Sequence, residues 1–127
     1  MSLNTLEEIA EYIVSDGKGI LAADESNPTC GKRFDSIGVE STESNRRDYR
    51  EMLFRSSGIK DNIGGVILFD ETIRQNAQDG TPLVELINNQ GALPGIKVDK
   101  GLAPLDSSPE ETLTQGLDGL DERCKEY

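Results

Sequence analysis

The sequence predicts an α/β protein built from parallel strands and crossover helices. Three observations carry that expectation. Two short apolar runs, ILAA at 20–23 and IGGVILF at 63–69, lack the polar alternation of a half-exposed strand and suit strands covered on both faces. Stretches with helical periodicity and capping signals stand between the runs. Each strand-like run also ends on charge: Asp24 and Glu25, Asp70 and Glu71, then Lys97, Asp99 and Lys100. In parallel α/β folds the carboxyl ends of strands are where active groups gather.

The elements follow in order. Thr5 and Glu8 have capping-box spacing, and Leu6, Ile9, Ala10, Ile13 and Val14 repeat at helical spacing until Asp16 and Gly17 stop them. Ile20–Ala23 is the first strand, broken after Ser26 by Asn27 and Pro28, and a short helix is expected from Gly31 to Ser36. Ser41 and Thr42 are candidate N-caps of a helix that places Tyr49, Met52 and Leu53 on one face and ends at Ser57 and Gly58. Residues 63–69 form the second strand. Thr81 followed by Pro82 predicts a helix carrying Leu83, Leu86 and Ile87, closed by Gly91. GIKVDKG, 95–101, is expected as a third strand, with Ile96 and Val98 on one side and Lys97 and Asp99 on the other. Ser108, Pro109 and Glu111 look like another capping box, opening a helix with Leu117, Leu120 and Cys124. The predicted order is a helix, then strand and helix three times, with no internal repeat and no clear linker.

Composition bounds the chemistry. The chain has 127 residues, 24 acidic against 13 basic, and a formal net charge of -11. That balance argues against nucleic acid and anionic membrane as partners, while an anionic small molecule needs only a local convergence of cations. No stretch approaches the roughly 18 apolar residues of a spanning helix, and the first residues lack the pattern of a signal peptide. Cys30 and Cys124 match no zinc or redox spacing, which fits a reduced, cytoplasmic protein. Histidine is absent, so imidazole acid–base chemistry and His-ligated metals are excluded within these residues. Carboxylates, lysines, hydroxyls or backbone groups must do the work.

Each charged cluster has two readings. Asp24 and Glu25 either open a solvated loop or form an acid–base site. Asp70 and Glu71 either favour a helix N-terminus or act chemically, and the first is preferred. Lys97 is costly to bury unless paired, and Asp99 two residues on is a ready partner. The functional alternative for Lys97 is a cation held for phosphate or amine chemistry. Two chemistries follow from the residues alone: an imine-forming or phosphate-binding site led by Lys97 with Asp24 as acid–base, or a Mg²⁺ site made by Asp24, Asp70 and Asp99.

Four motifs then align in order and at consistent intervals: GKGILAADES, IGGVILFDET, GIKVDKG and TQGLDGLDERC. Together they resemble class I fructose-bisphosphate aldolase, the Schiff-base class, over nearly the whole chain. The resemblance implies the N-terminal portion of a TIM (β/α)₈ barrel, about three βα units plus a leading helix, with residues 1–127 forming one partial barrel domain. It implies reversible cleavage of fructose 1,6-bisphosphate to dihydroxyacetone phosphate and glyceraldehyde 3-phosphate, through a lysine imine and without a metal or other cofactor. The expected partners are the sugar phosphate and, at full length, three further copies in a homotetramer.

By position, Asp24 is similar to the family aspartate beside the Schiff-base lysine, where it serves proton transfer, and Glu25 supports it. Ser26 resembles a phosphate-binding serine. Thr29 stands where a second such serine is common, preceded by Pro28 in place of a small residue. Arg33 and Lys97 resemble substrate-binding cations of the family, whose imine forms on a different lysine; the role of imine-former first considered for Lys97 is thereby replaced. A (β/α)₈ barrel typically needs about 250 residues. The resemblance implies an N-terminal third, without the imine lysine, inactive alone and prone to aggregation through open sheet edges. The alternative is a short non-catalytic chain that binds sugar phosphate or associates with a full-length aldolase.

Overall fold

The computed structural model describes residues 3–127. The chain divides into two compact units, one up to Ile96 and one from Lys97.

The first unit opens with α1, Leu6–Ile13. Its capping box forms as expected: Thr5 Oγ1 accepts from the Glu8 amide at 3.1 Å, and the Glu8 carboxylate accepts from the Thr5 amide at 3.1 Å. A 3-10 turn at Ser15–Gly17 leads into β1, Gly19–Ala23. Then come α2 (Asn27–Asp35), α3 (Glu43–Phe54), α4 (Gly58–Asn62), β2 (Ile63–Leu68), α5 (Asp70–Ile73), α6 (Leu83–Asn89) and β3 (Leu93–Ile96). The strands form one parallel sheet in the order β1-β2-β3, with Ala23 beside Leu68 and Leu68 beside Ile96. The expected parallel α/β arrangement is therefore present.

Alternation sorts the strands' side chains by face. Val66 and Leu68 point into a core with Phe54, Ile59, Leu83, Leu86 and Ile87, supplied by α3, α4 and α6. On the opposite face, Ile20 stays 53% exposed. Gly64 is needed for a close approach: a Cβ there would stand 2.0 Å from the Ile13 carbonyl oxygen. The carboxyl end of α1 thus rests against the backbone of β2, and Tyr12 adds a hydroxyl bond to the Gly91 carbonyl at 2.6 Å.

Several expectations need correction. α2 begins at Asn27, not Gly31, because Pro28 falls in the first turn, where its fixed φ fits and its missing N–H costs nothing. The buried face of α3 carries Arg46, Arg50 and Phe54, and Met52 is exposed. That helix stops at Phe54, and Gly58 opens α4 instead of ending it. Pro82, not Thr81, is the N-cap of α6, so the helix begins one residue later than expected, at Leu83.

The third strand also lies earlier than 95–101. β3 ends at Ile96 because its partner β2 ends at Leu68, leaving no ladder for Lys97 to Gly101 to join.

The second unit contains no helix at Ser108. Instead β4 (Leu102–Leu105) and β5 (Ser108–Thr114) form an antiparallel hairpin, with Leu102 opposite Thr114 and Pro104 opposite Thr112. The apparent capping box is overridden because the segment after it lacks an apolar helical face: of Ser108–Thr114 only Leu113 is a large apolar residue. Threonines at 112 and 114 suit a pleated strand better. The third strand is thus followed by a hairpin, and the last helix, α7, spans Leu120–Glu126. Arg123 of α7 donates to the Val98 carbonyl at 3.0 Å and to the Gly116 carbonyl at 2.5 Å, holding the ends of the hairpin segment.

Candidate active site

The first unit gathers five of the six expected site residues at one place, where β1 runs into α2. Asp24 follows the last residue of β1 directly and is half-buried. Ser26 is the N-cap residue of α2, and its Oγ lies 3.2 Å from Thr29 Oγ1 one turn on. The two hydroxyls therefore sit together at the strand's carboxyl end. Arg33 lies one further turn along α2. Its Nη1 is 2.7 Å from Glu25 Oε1 and donates to the Tyr49 hydroxyl at 3.0 Å. The Tyr49 bond first, and the Glu25 charge second, hold the Arg33 pKa above its usual value. Glu25 is thus the partner of the candidate substrate cation.

Lys97 belongs to the second unit and follows the last residue of β3 in the chain. It is half-buried and donates to Asp99 Oδ1 at 2.6 Å, while Asp99 Oδ2 accepts from the Gly101 amide at 3.1 Å. Those bonds, the Lys97 one foremost, lower the Asp99 pKa below the ordinary aspartate value. The ion pair anticipated for a half-buried lysine forms.

Asp70 and Glu71 begin α5, as the helix-terminus reading requires. Their side chains differ in use. Asp70 pairs with Arg74 one turn later at 2.9 Å on the surface. Glu71 is the centre of a cluster that sequence reasoning missed. Its carboxylate accepts from Arg46 Nε at 2.9 Å and Nη2 at 2.7 Å, a two-pronged contact, and from Arg50 Nη1 at 2.5 Å. Arg50 is 2% exposed and also donates to Gln75 Oε1 at 2.9 Å and to the Glu25 carbonyl at 3.3 Å. Gln75 in turn donates to Glu43 Oε1 at 2.6 Å. Hydrogen bonds from Arg46, opposed by burial and reinforced by Arg50, lower the Glu71 pKa from 4.5 to about 2. The signal was present in the sequence: Arg46, Arg50 and Phe54 recur at four-residue spacing and share a helix face.

Cys30 is buried beside the same turn, and burial raises its thiol pKa, which disfavours the thiolate. Among the described residues no group of three or more His, Cys, Asp or Glu side chains could hold a metal ion. Of the three acids considered for Mg²⁺, Asp70 is engaged by Arg74 and Asp99 by Lys97.

The family model of class-I fructose-bisphosphate aldolase matches residues 5–127. A fructose-bisphosphate aldolase of Drosophila melanogaster is 58% identical over 123 residues, which cover 96% of this chain and 34% of that protein. A cytosolic fructose-bisphosphate aldolase of Arabidopsis thaliana is 56% identical over 122 residues, again 96% of this chain and 34% of the relative. A solved fructose-bisphosphate aldolase of Plasmodium falciparum, in complex with TRAP and a small-molecule inhibitor, superposes with a TM-score of 0.90 at 54% identity, covering 94% of this chain and 34% of that one. The chain spans about a third of the length of the relatives it matches. With the strand-end acid, the paired hydroxyls and the four motifs in order, the match over residues 5–127 shows that this chain belongs to the class I fructose-bisphosphate aldolase family.

Proposed function

We propose that these residues supply part of the substrate site of an aldolase that reversibly cleaves fructose 1,6-bisphosphate to dihydroxyacetone phosphate and glyceraldehyde 3-phosphate. The reaction runs through a Schiff base on a lysine outside this chain, in the reduced cytoplasm, in a homotetramer. Residues 1–127 are one portion of its (β/α)₈ barrel domain.

The carrying observation is the junction of β1 and α2. A carboxylate at a strand end, two hydroxyls 3.2 Å apart and a guanidinium on the next turn suit a phosphorylated substrate that needs a proton moved. In this reading Asp24 transfers protons during carbinolamine formation and carbon–carbon cleavage. Ser26, Thr29 and Arg33 bind phosphate, and Lys97 meets phosphate or substrate hydroxyls. Glu25 orients Arg33 and exchanges it to the incoming anion.

The test uses a full-length aldolase that contains these 127 residues. Borohydride reduction with dihydroxyacetone phosphate should trap an adduct outside residues 1–127. Asp24→Asn should lower kcat by about 10²- to 10⁴-fold. Arg33→Ala should chiefly raise KM. An adduct on Lys97, or native turnover in Asp24→Asn, contradicts the assignment.

The same cluster allows a second, non-catalytic reading, in which the 127 residues alone bind sugar phosphate weakly. Calorimetric titration with inorganic phosphate decides it: flat heats at millimolar ligand dismiss that reading.

A further inference from the structure

Asp24, Glu25 and Ser26 of the proposed substrate cluster form the turn between β1 and α2, and that turn is held by a residue of another helix. Arg50 of α3 is almost fully buried and reaches the Glu25 carbonyl at 3.3 Å. The same carbonyl is 3.9 Å from Cys30 Sγ. The Arg50 guanidinium is itself fixed by Glu71 at 2.5 Å and Gln75 at 2.9 Å. Glu71 lies in the first turn of α5, just past the end of β2, so the guanidinium links the ends of two neighbouring strands. A buried cation is expensive to maintain unless paired, and an apolar residue of similar size would fill the space at lower cost. Its fork geometry, which a lysine does not reproduce, supplies directed bonds to three acceptors.

We propose that Arg50 is a positioning residue for the aldol reaction: it sets the backbone at Glu25 and thereby the placement of Asp24 and Ser26 on either side. The proposal rests on the reading of that turn as the substrate site. Arg46 provides the internal comparison. It shares Glu71 with Arg50, yet its other hydrogen bonds go to the Ser41 carbonyl and hydroxyl, away from the turn.

The test is made in a full-length aldolase carrying this segment. Arg50→Lys keeps the charge and loses the fork. It should lower kcat by about 10- to 100-fold with KM nearly unchanged, and amide hydrogen exchange should rise at residues 24–27 while α6 stays protected. Arg46→Lys should cost comparable stability but leave kcat and exchange at the turn within about twofold. Equal effects of the two variants on kcat and exchange, or native behaviour of Arg50→Lys, overturns the proposal. If Arg50→Lys does not fold, Gln75→Met, which removes one acceptor that orients the guanidinium, should give the same pattern at smaller size, and its absence overturns the proposal equally. Lack of turnover in the unsubstituted protein refutes the functional reading, whereas the exchange data still decide whether Arg50 holds the turn.

Discussion

Glu71 is the residue on which the interior electrostatics of the first unit turn. Two arginines converge on one carboxylate, and Arg50 has almost no contact with water. Removing the acid leaves that cation uncompensated. Glu71→Gln should therefore destabilise the fold by about 3 kcal/mol near neutral pH, read from urea unfolding. The pH dependence has a fixed sign. The folded-state pKa of Glu71 is lowered from 4.5 to about 2, so its stabilisation is complete above about pH 4.5 and is lost as pH falls toward 2. The difference between the native chain and Glu71→Gln should shrink over that window, and a constant gap from pH 6 to pH 2 refutes the linkage. One residue further on, Thr72 Oγ1 is fully buried and has no hydrogen-bond partner. An isosteric apolar side chain removes that burden, so Thr72→Val should be neutral or stabilising by about 1 kcal/mol in the same assay.

Gly64 is decisive for the seating of α1 on β2. Any Cβ there meets the Ile13 backbone, and backbone cannot swing aside as a side chain can. Gly64→Ala should cost about 3 kcal/mol and release α1, visible as faster amide exchange over residues 9–13 while α6 remains protected. An unchanged melting temperature contradicts the contact. The same comparison of local and distant signals explains what could be read from the sequence. α1, β1 and β2 were legible because cap, period and apolar run agree within each segment. At the β1–α2 junction the strand end was legible but the start of α2 was not, because Asn27 and Pro28 imitate a break where Pro28 in fact sits in the helix's first turn. β5 was not legible: its Ser-Pro-Glu-Glu start imitates a capping box, and only pairing with Leu102–Leu105 reveals the strand. The end of β3 was not legible either, since the length of β2 sets it from outside. Arg46 and Arg50 share a helix face with Phe54, but the acid that supplies their counter-charge lies about twenty residues away and does not show in the local pattern.

At the scale of the whole molecule, apolar surface and net charge oppose each other. The sheet face that carries Ile20 stays open, and beside it a cavity of about 560 Å³ is lined by Ile9, Ile13, Ile20, Ile67 and Leu93. A charge of -11 keeps copies apart at low ionic strength, and salt removes that repulsion within a Debye length of about 10 Å at 0.1 M. The 127-residue polypeptide should therefore bind the dye ANS and self-associate as salt rises, followed by sedimentation velocity. A monomer that leaves the dye dark at every salt concentration contradicts this. The contact of α1 with Gly64 and Gly91 also has a consequence for biosynthesis. An eight-residue helix does not hold its shape in water unaided. Its seat is made of residues that leave the ribosome about fifty to eighty positions later, several seconds at ordinary rates of translation. This helix is thus kept waiting by the sheet, and it is among the last elements of the first unit to settle.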